Sequence, residues 1–169
     1  MARTISGKPI TAPASAAPSH LKAMTMPNAR SRNAPTGPLR PKVTDVATAD
    51  IYLDVVAPLL SAKCSACHND DKRRGGLSFA DYPSLRKGGE SGEAIRPGDP
   101  SGSELYRRIT LPSGADGYMP KNHKSPPNPG EIEVLRWWIA IGAPQKGVVR
   151  DLRPPQSVAS DLAQVLGFL

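Results

Sequence analysis

The chain's only two cysteines lie in one pentapeptide, Cys64-Ser65-Ala66-Cys67-His68. No other stretch restricts the possible folds so strongly, because two thiols and an imidazole must share one turn of backbone. A zinc site wants four ligands, commonly two separated pairs. The other histidines are His20 and His123, and the adjacent Cys67 and His68 rarely reach one tetrahedral ion together. A redox-active Cys-x-x-Cys needs a βαβ setting, whereas the flanks here read as helix and Pro/Gly-rich loop. A structural disulfide accounts for the thiols and leaves His68 idle. Cys-x-x-Cys-His is the attachment signature of c-type haem, in which each residue has a separate task. Cys64 and Cys67 are the expected thioether attachment sites, and His68 the expected proximal iron ligand, for one covalently held haem c per chain.

Composition agrees with a prosthetic group. Aromatic residues make up 5% of the 169 and hydrophobic residues 38%, a thin apolar supply that a porphyrin would supplement. The net charge of +7 suggests nucleic acid until it is located. Residues 1–44 hold seven Lys/Arg and no acid, which leaves fifteen of the 22 basic residues against all 15 acidic ones. The basicity belongs to the N-terminal segment, no nucleic-acid motif accompanies it, and no nucleic-acid partner is expected. Seven prolines and few large apolar residues in the same segment predict a disordered linker over 1–47. His20, Met24 and Met26 fall in it, and no role is expected of them. No apolar run is long enough to span a bilayer. Met1 to Ala29 contains no apolar stretch of signal-peptide type, and Pro9, Pro13 and Pro18 would interrupt an amphipathic transit helix. Because haem c is attached outside the bacterial cytoplasm, the chain is expected to be a piece of a longer exported protein. A periplasmic or equivalent compartment is expected, with membrane association only through a region outside this chain.

The remainder reads as helices joined by turns. Thr48-Ala49-Asp50 is a helix start, Ile51, Val55 and Leu59 recur at helical spacing, and Pro58 should kink or split the helix that leads into Cys64. Residues 69–77 are a charged turn ending in two glycines. Asp81-Tyr82-Pro83 opens a short helix through Lys87 that Gly88-Gly89 stops. Asp99 is positioned to cap a helix running to about Ile109. Residues 111–127 are irregular, and loops of this length are often functional. Asn128-Pro129-Gly130-Glu131 is a cap, a first-turn proline and a capping-box acid, and Gly142 with Pro144 ends the helix that follows. Trp137 and Trp138 on that helix cannot face the same way, so one is expected against the haem or the first helix. Ser157 is the expected cap of a last helix with the stripe Val158, Leu162, Val165 and Leu166. No period-2 strand stands out. The expected organisation is a tail over 1–47, a domain over 48–146, and a connector with a short helix over 147–169.

A six-coordinate haem needs a second axial ligand. Met119, the only methionine after the pentapeptide, lies on the long loop beside Pro120 and is the expected distal ligand; its thioether is soft and neutral. His123 is the alternative. Tyr106, Tyr118, Arg96, Arg107 and Arg108 form a group from which propionate contacts are expected.

Several ordered stretches together resemble the Planctomycete-type cytochrome c domain. They are Ala57 through His68, Gly75-Gly76-Leu77, Lys87 through Gly92, Pro97-Gly98-Asp99-Pro100, Leu105 through Ile109, Met119-Pro120, and Glu131 through Ile139 with Gly142-Ala143-Pro144. The likeness covers roughly residues 51–144. It implies an all-α, small class I-like cytochrome c fold around a covalent haem, with long irregular loops, as a module of a larger exported protein. Residue by residue it implies the same roles for Cys64, Cys67, His68 and Met119. This sequence departs from the family's usual Met-Pro-Pro by reading Met119-Pro120-Lys121.

The expected function is a mono-haem electron carrier working between redox-protein donors and acceptors. No acid/base pair, activated nucleophile or second metal motif is evident, so no catalytic residues are assigned and the chain is not read as an enzyme. The alternatives are a peroxidase-like enzyme with an open sixth position and a haem-stabilised interaction module.

Overall fold

A computed structural model describes residues 42–121 and 125–169 of the chain. The expected linker therefore lies outside the described residues up to position 41. Among those described, the fold is all-α, with no strand.

A 3-10 turn, Val46–Thr48, leads to Asp50. The Asp50 carboxylate accepts the N–H groups of Tyr52 and Leu53, at 3.1 and 2.9 Å, and its own N–H donates to Asp54 at 2.7 Å. This reciprocal cap satisfies donors that a helix start leaves orphaned. A π-helical stretch, Ile51–Val56, then runs into α1 (Ala57–Lys63). Ala57 donates to Tyr52 five residues back. The change in winding falls where Pro58, which lacks an N–H and crowds the carbonyl four residues before it, was expected to interrupt the helix.

α2 (Tyr82–Lys87) is capped by Asp81, whose carboxylate accepts the Ser84 N–H at 2.7 Å. Gly88 ends it at φ 75°, where an added Cβ would strike the Gly92 carbonyl. α3 spans Glu104–Thr110 and starts later than expected. Asp99 does not cap it; its carboxylate accepts the Gly102 N–H of the preceding turn at 2.8 Å. Ser103 is the cap residue, fully buried, with its hydroxyl bridging the backbone of Arg96 and Asp99. α4 (Pro129–Ala140) carries the complete capping box of Asn128 and Glu131, with bonds of 2.8 and 2.7 Å. α5 (Val149–Leu152) had no sequence counterpart. α6 (Gln156–Val165) begins after Pro155, so Ser157 lies inside the helix and is not its cap.

The core is one contiguous cluster whose largest completely buried side chain is Trp138. Its indole stacks on Tyr52 with centroids 6.1 Å apart, and Tyr52 meets Tyr82 edge-on at 5.1 Å. Of the two tryptophans, Trp138 is thus the one packed on the first helical segment, while Trp137 is also buried. The Trp138 N–H donates to Pro144 O at 3.0 Å and the Tyr82 hydroxyl to Ala143 O at 2.8 Å, so the turn after α4 is fastened on both sides. The packed unit extends past 48–146 at both ends. Val43 and Val46 lie against the core, and Val158 and Leu162 of α6 are inside it. Residues 147–169 are tied to the start of the packed unit: Ile51 donates to Gly147 O and Val149 to Ala49 O, each at 2.9 Å. The apolar side chains, thin by composition, are gathered into one contiguous cluster rather than several small ones.

Candidate haem-attachment site

α1 stops at Lys63, whose ammonium pairs with Glu131 in the first turn of α4 at 2.9 Å. The attachment pentapeptide therefore begins where α1 is pinned to α4. Cys64 and Ser65 both donate to Leu60 O, at 2.9 and 3.2 Å, and Cys67 and His68 both donate to Cys64 O at 3.1 Å. The two thiols and the imidazole share a turn after the helix, one step beyond the helical turn itself. The cysteines are not joined to each other. Cys64 leans on the core, and burial pushes its thiol up to about 12. A redox-active pair would show the opposite, a depressed thiol.

The backbone after His68 folds back over it. Asn69 accepts the N–H groups of Asp71 and Lys72, Arg74 donates to Cys67 O at 3.3 Å, and Phe79 donates to His68 O at 2.8 Å. Lys72 reaches Ala66 O with its ammonium at 2.7 Å. Arg73, Gly75 and Gly76 take left-handed conformations that make this return possible; at the two glycines this carries no steric cost. Phe79 sits edge-on to the imidazole at 5.6 Å. His68 is half-buried, and burial lowers its pKa; the Arg74 and Leu77 backbone favours the protonated ring, while the charges of Arg74 and Arg108 oppose it. Among the described residues, no group reaches hydrogen-bonding geometry at the buried Nδ1 atom. The ring is held by the backbone bonds of its own turn and by Phe79 rather than by a hydrogen bond at Nδ1. With two unpaired thiols on the same turn, these residues fit a c-type haem.

Met119 is half-buried in the 111–121 loop, and its N–H donates to Arg108 O at 3.2 Å. The structure ties it to the C-terminal half of α3. His123, the alternative ligand, lies outside the described residues, as do His20, Met24 and Met26.

The candidate propionate group divides. Arg96 is 53% exposed and pairs with Glu93 and Asp99, and Arg107 is 50% exposed and pairs with Glu104. Arg108 alone turns inward, to Glu104, Gly117 and Ser91. Tyr106 and Tyr118 are half-buried. Sequence reasoning missed Ser91, Ser103 and Glu104; only Glu104 had a local signal, its spacing of three and four residues from two arginines. A cavity of about 110 Å³, lined in part by Asn128, Glu131, Asp161 and Gln164, lies between α4 and α6.

No curated protein and no solved structure matches the chain. Residues 64–123, from Cys64 through Met119 to His123, match the family model of the Planctomycete cytochrome C domain.

Proposed function

We propose that this chain is a mono-haem c-type cytochrome module that carries single electrons between protein partners. The observation that carries the reading is the turn itself, where two free thiols and a half-buried imidazole meet. The family match over the same residues supports it. Haem c supplies an iron that cycles between ferrous and ferric states, with a potential set by its axial ligands and surroundings.

The chain's residues divide the remaining work. Cys64 and Cys67 would hold the group by adding S–H across its two vinyl C=C bonds, with no atom lost. His68 would ligate from the ring nitrogen opposite Nδ1. The backbone of Arg74 and Leu77 beside the ring favours its protonated form, without a hydrogen bond at Nδ1 among the described residues. Met119 is the proposed distal ligand. Phe79 and the 69–79 return cover the imidazole and limit water around it. Export to a periplasm-like compartment belongs to the same proposal, because covalent haem attachment is extracytoplasmic chemistry. No helix among the described residues is long and apolar enough to cross a membrane.

The test is the pyridine haemochrome spectrum of protein produced with a haem c maturation system and a supplied export signal. A c-type spectrum that persists after acid–acetone extraction is expected. Complete loss of colour on extraction overturns the reading.

A further inference from the structure

We propose that Arg108 is a positioning residue that clasps the Met119 loop to the turns enclosing His68. The inference rests on the haem reading above and adds a residue to it.

Arg108 leaves α3 with its side chain only 26% exposed. Its Nε donates to Glu104 at 2.7 Å, its Nη2 to Ser91 at 3.0 Å and its Nη1 to Gly117 O at 3.4 Å, while its own carbonyl accepts the Met119 N–H at 3.2 Å. Glu104 orients the guanidinium, and the two remaining arms reach segments without helical structure. Gly117 belongs to the loop that carries Met119. Ser91 belongs to the 88–92 turn, and that turn rests on the His68 side. Glu90 donates to Gly75 O at 2.8 Å, and a Cβ on Gly89 would collide with the same carbonyl. Gly75 follows Arg74, which donates to Cys67 O. A continuous path of hydrogen bonds and short backbone steps thus joins the attachment turn to Met119 through one guanidinium. A planar fork with donors on three sides can make such a junction; an ammonium, a point charge, cannot hold the same three directions. Arg96 and Arg107 make no comparable crossing, since each pairs only with acids three residues away.

The consequence is read at the sixth coordination position of the full, haem-loaded chain, with imidazole as the probe. Met119→Ala is the reference, expected to tighten imidazole binding to the ferric protein most. Arg108→Gln is expected to tighten it by about ten- to a hundredfold, as loss of charge-assisted hydrogen bonds implies, at unchanged covalent haem content. Arg108→Lys should not restore the wild-type affinity. Arg107→Gln, which removes a neighbouring guanidinium from the same Glu104, should stay within about twofold because exposed pairs contribute little. If Arg108→Gln folds poorly, Ser91→Ala cuts a single arm and should give a smaller tightening.

An Arg108→Gln protein with a lower melting temperature but wild-type imidazole affinity overturns the proposal while leaving the haem reading intact. So does wild-type affinity in Ser91→Ala where Arg108→Gln cannot be made. A Met119→Ala protein that binds imidazole no more tightly than wild type overturns the distal-ligand assignment and this proposal together, with attachment at Cys64 and Cys67 unaffected.

Discussion

The surroundings of Trp138 and the surroundings of His68 are built in different ways. Around Trp138, side chains from the first helical segment, α4 and α6 are fully buried, and the polar atoms that enter, the indole N–H and the Tyr82 hydroxyl, each find a carbonyl. Around His68, the chain is a succession of turns. Cys64, Cys67, His68 and Met119 are all half-buried, the backbone is left-handed at several positions, and Nδ1 has no partner among the described residues. Helices pair their own backbone groups and can press whole faces together, whereas turns must find partners for each N–H and carbonyl separately. The helical region therefore supplies stability. The turn region supplies reactive groups in fixed places. Residues whose loss unfolds the protein and residues whose loss abolishes cofactor attachment should form separate sets.

The largest expected effect is on the turn side. Replacing both Cys64 and Cys67 with Ser should remove all colour that resists acid–acetone extraction, and retention of a haem c spectrum would contradict the assignment. On the helical side, Trp138→Ala deletes a fully buried ring, its stacking on Tyr52 and its hydrogen bond. Urea denaturation should register a loss of about 3–5 kcal/mol; a loss well below that range would mean that the core does not depend on this indole. Asn128→Ala removes half of the capping box of α4 and should cost about 1 kcal/mol by the same measurement, with covalent haem content unchanged.

The smallest effect concerns pH. Burial raises the Glu104 carboxyl pKa, but the hydrogen bonds and charges of Arg107 and Arg108 outweigh it and leave the group below its ordinary 4.5. A carboxylate depressed in the folded state stabilises above its unfolded value. That stabilisation is lost as pH falls through the folded one. Urea midpoints should therefore decline below about pH 4.5 less steeply in Glu104→Gln than in the wild-type chain. Equal slopes would show that the ion pairs do not tune stability.

Local chemistry made much of this molecule legible in advance. Asp81 followed by Pro83, Asn128 followed by Glu131, and Pro58 inside a helical stripe each act within about one turn of the chain, and each element formed where that chemistry placed it. The attachment pentapeptide is of the same kind, since its residue types and spacing carry the haem reading without reference to distant segments. Asp99 shows the limit. It has the right residue type for a cap, yet the buried hydroxyl of Ser103 organises the same turn from the other end and delays α3.

The sequence by itself determined the all-α class, most of the helix ends and the residues expected to hold haem, because caps, prolines and a thiol pair work through neighbours a few positions apart. Only the tertiary structure decided that Trp138 would lie on Tyr52, that residues 147–169 would close the core, and that Arg108 rather than Arg96 or Arg107 would turn inward. Those outcomes depend on which segments distant in sequence arrive at the same place, and that is set by the joint packing of all the helices rather than by any one stretch of chain.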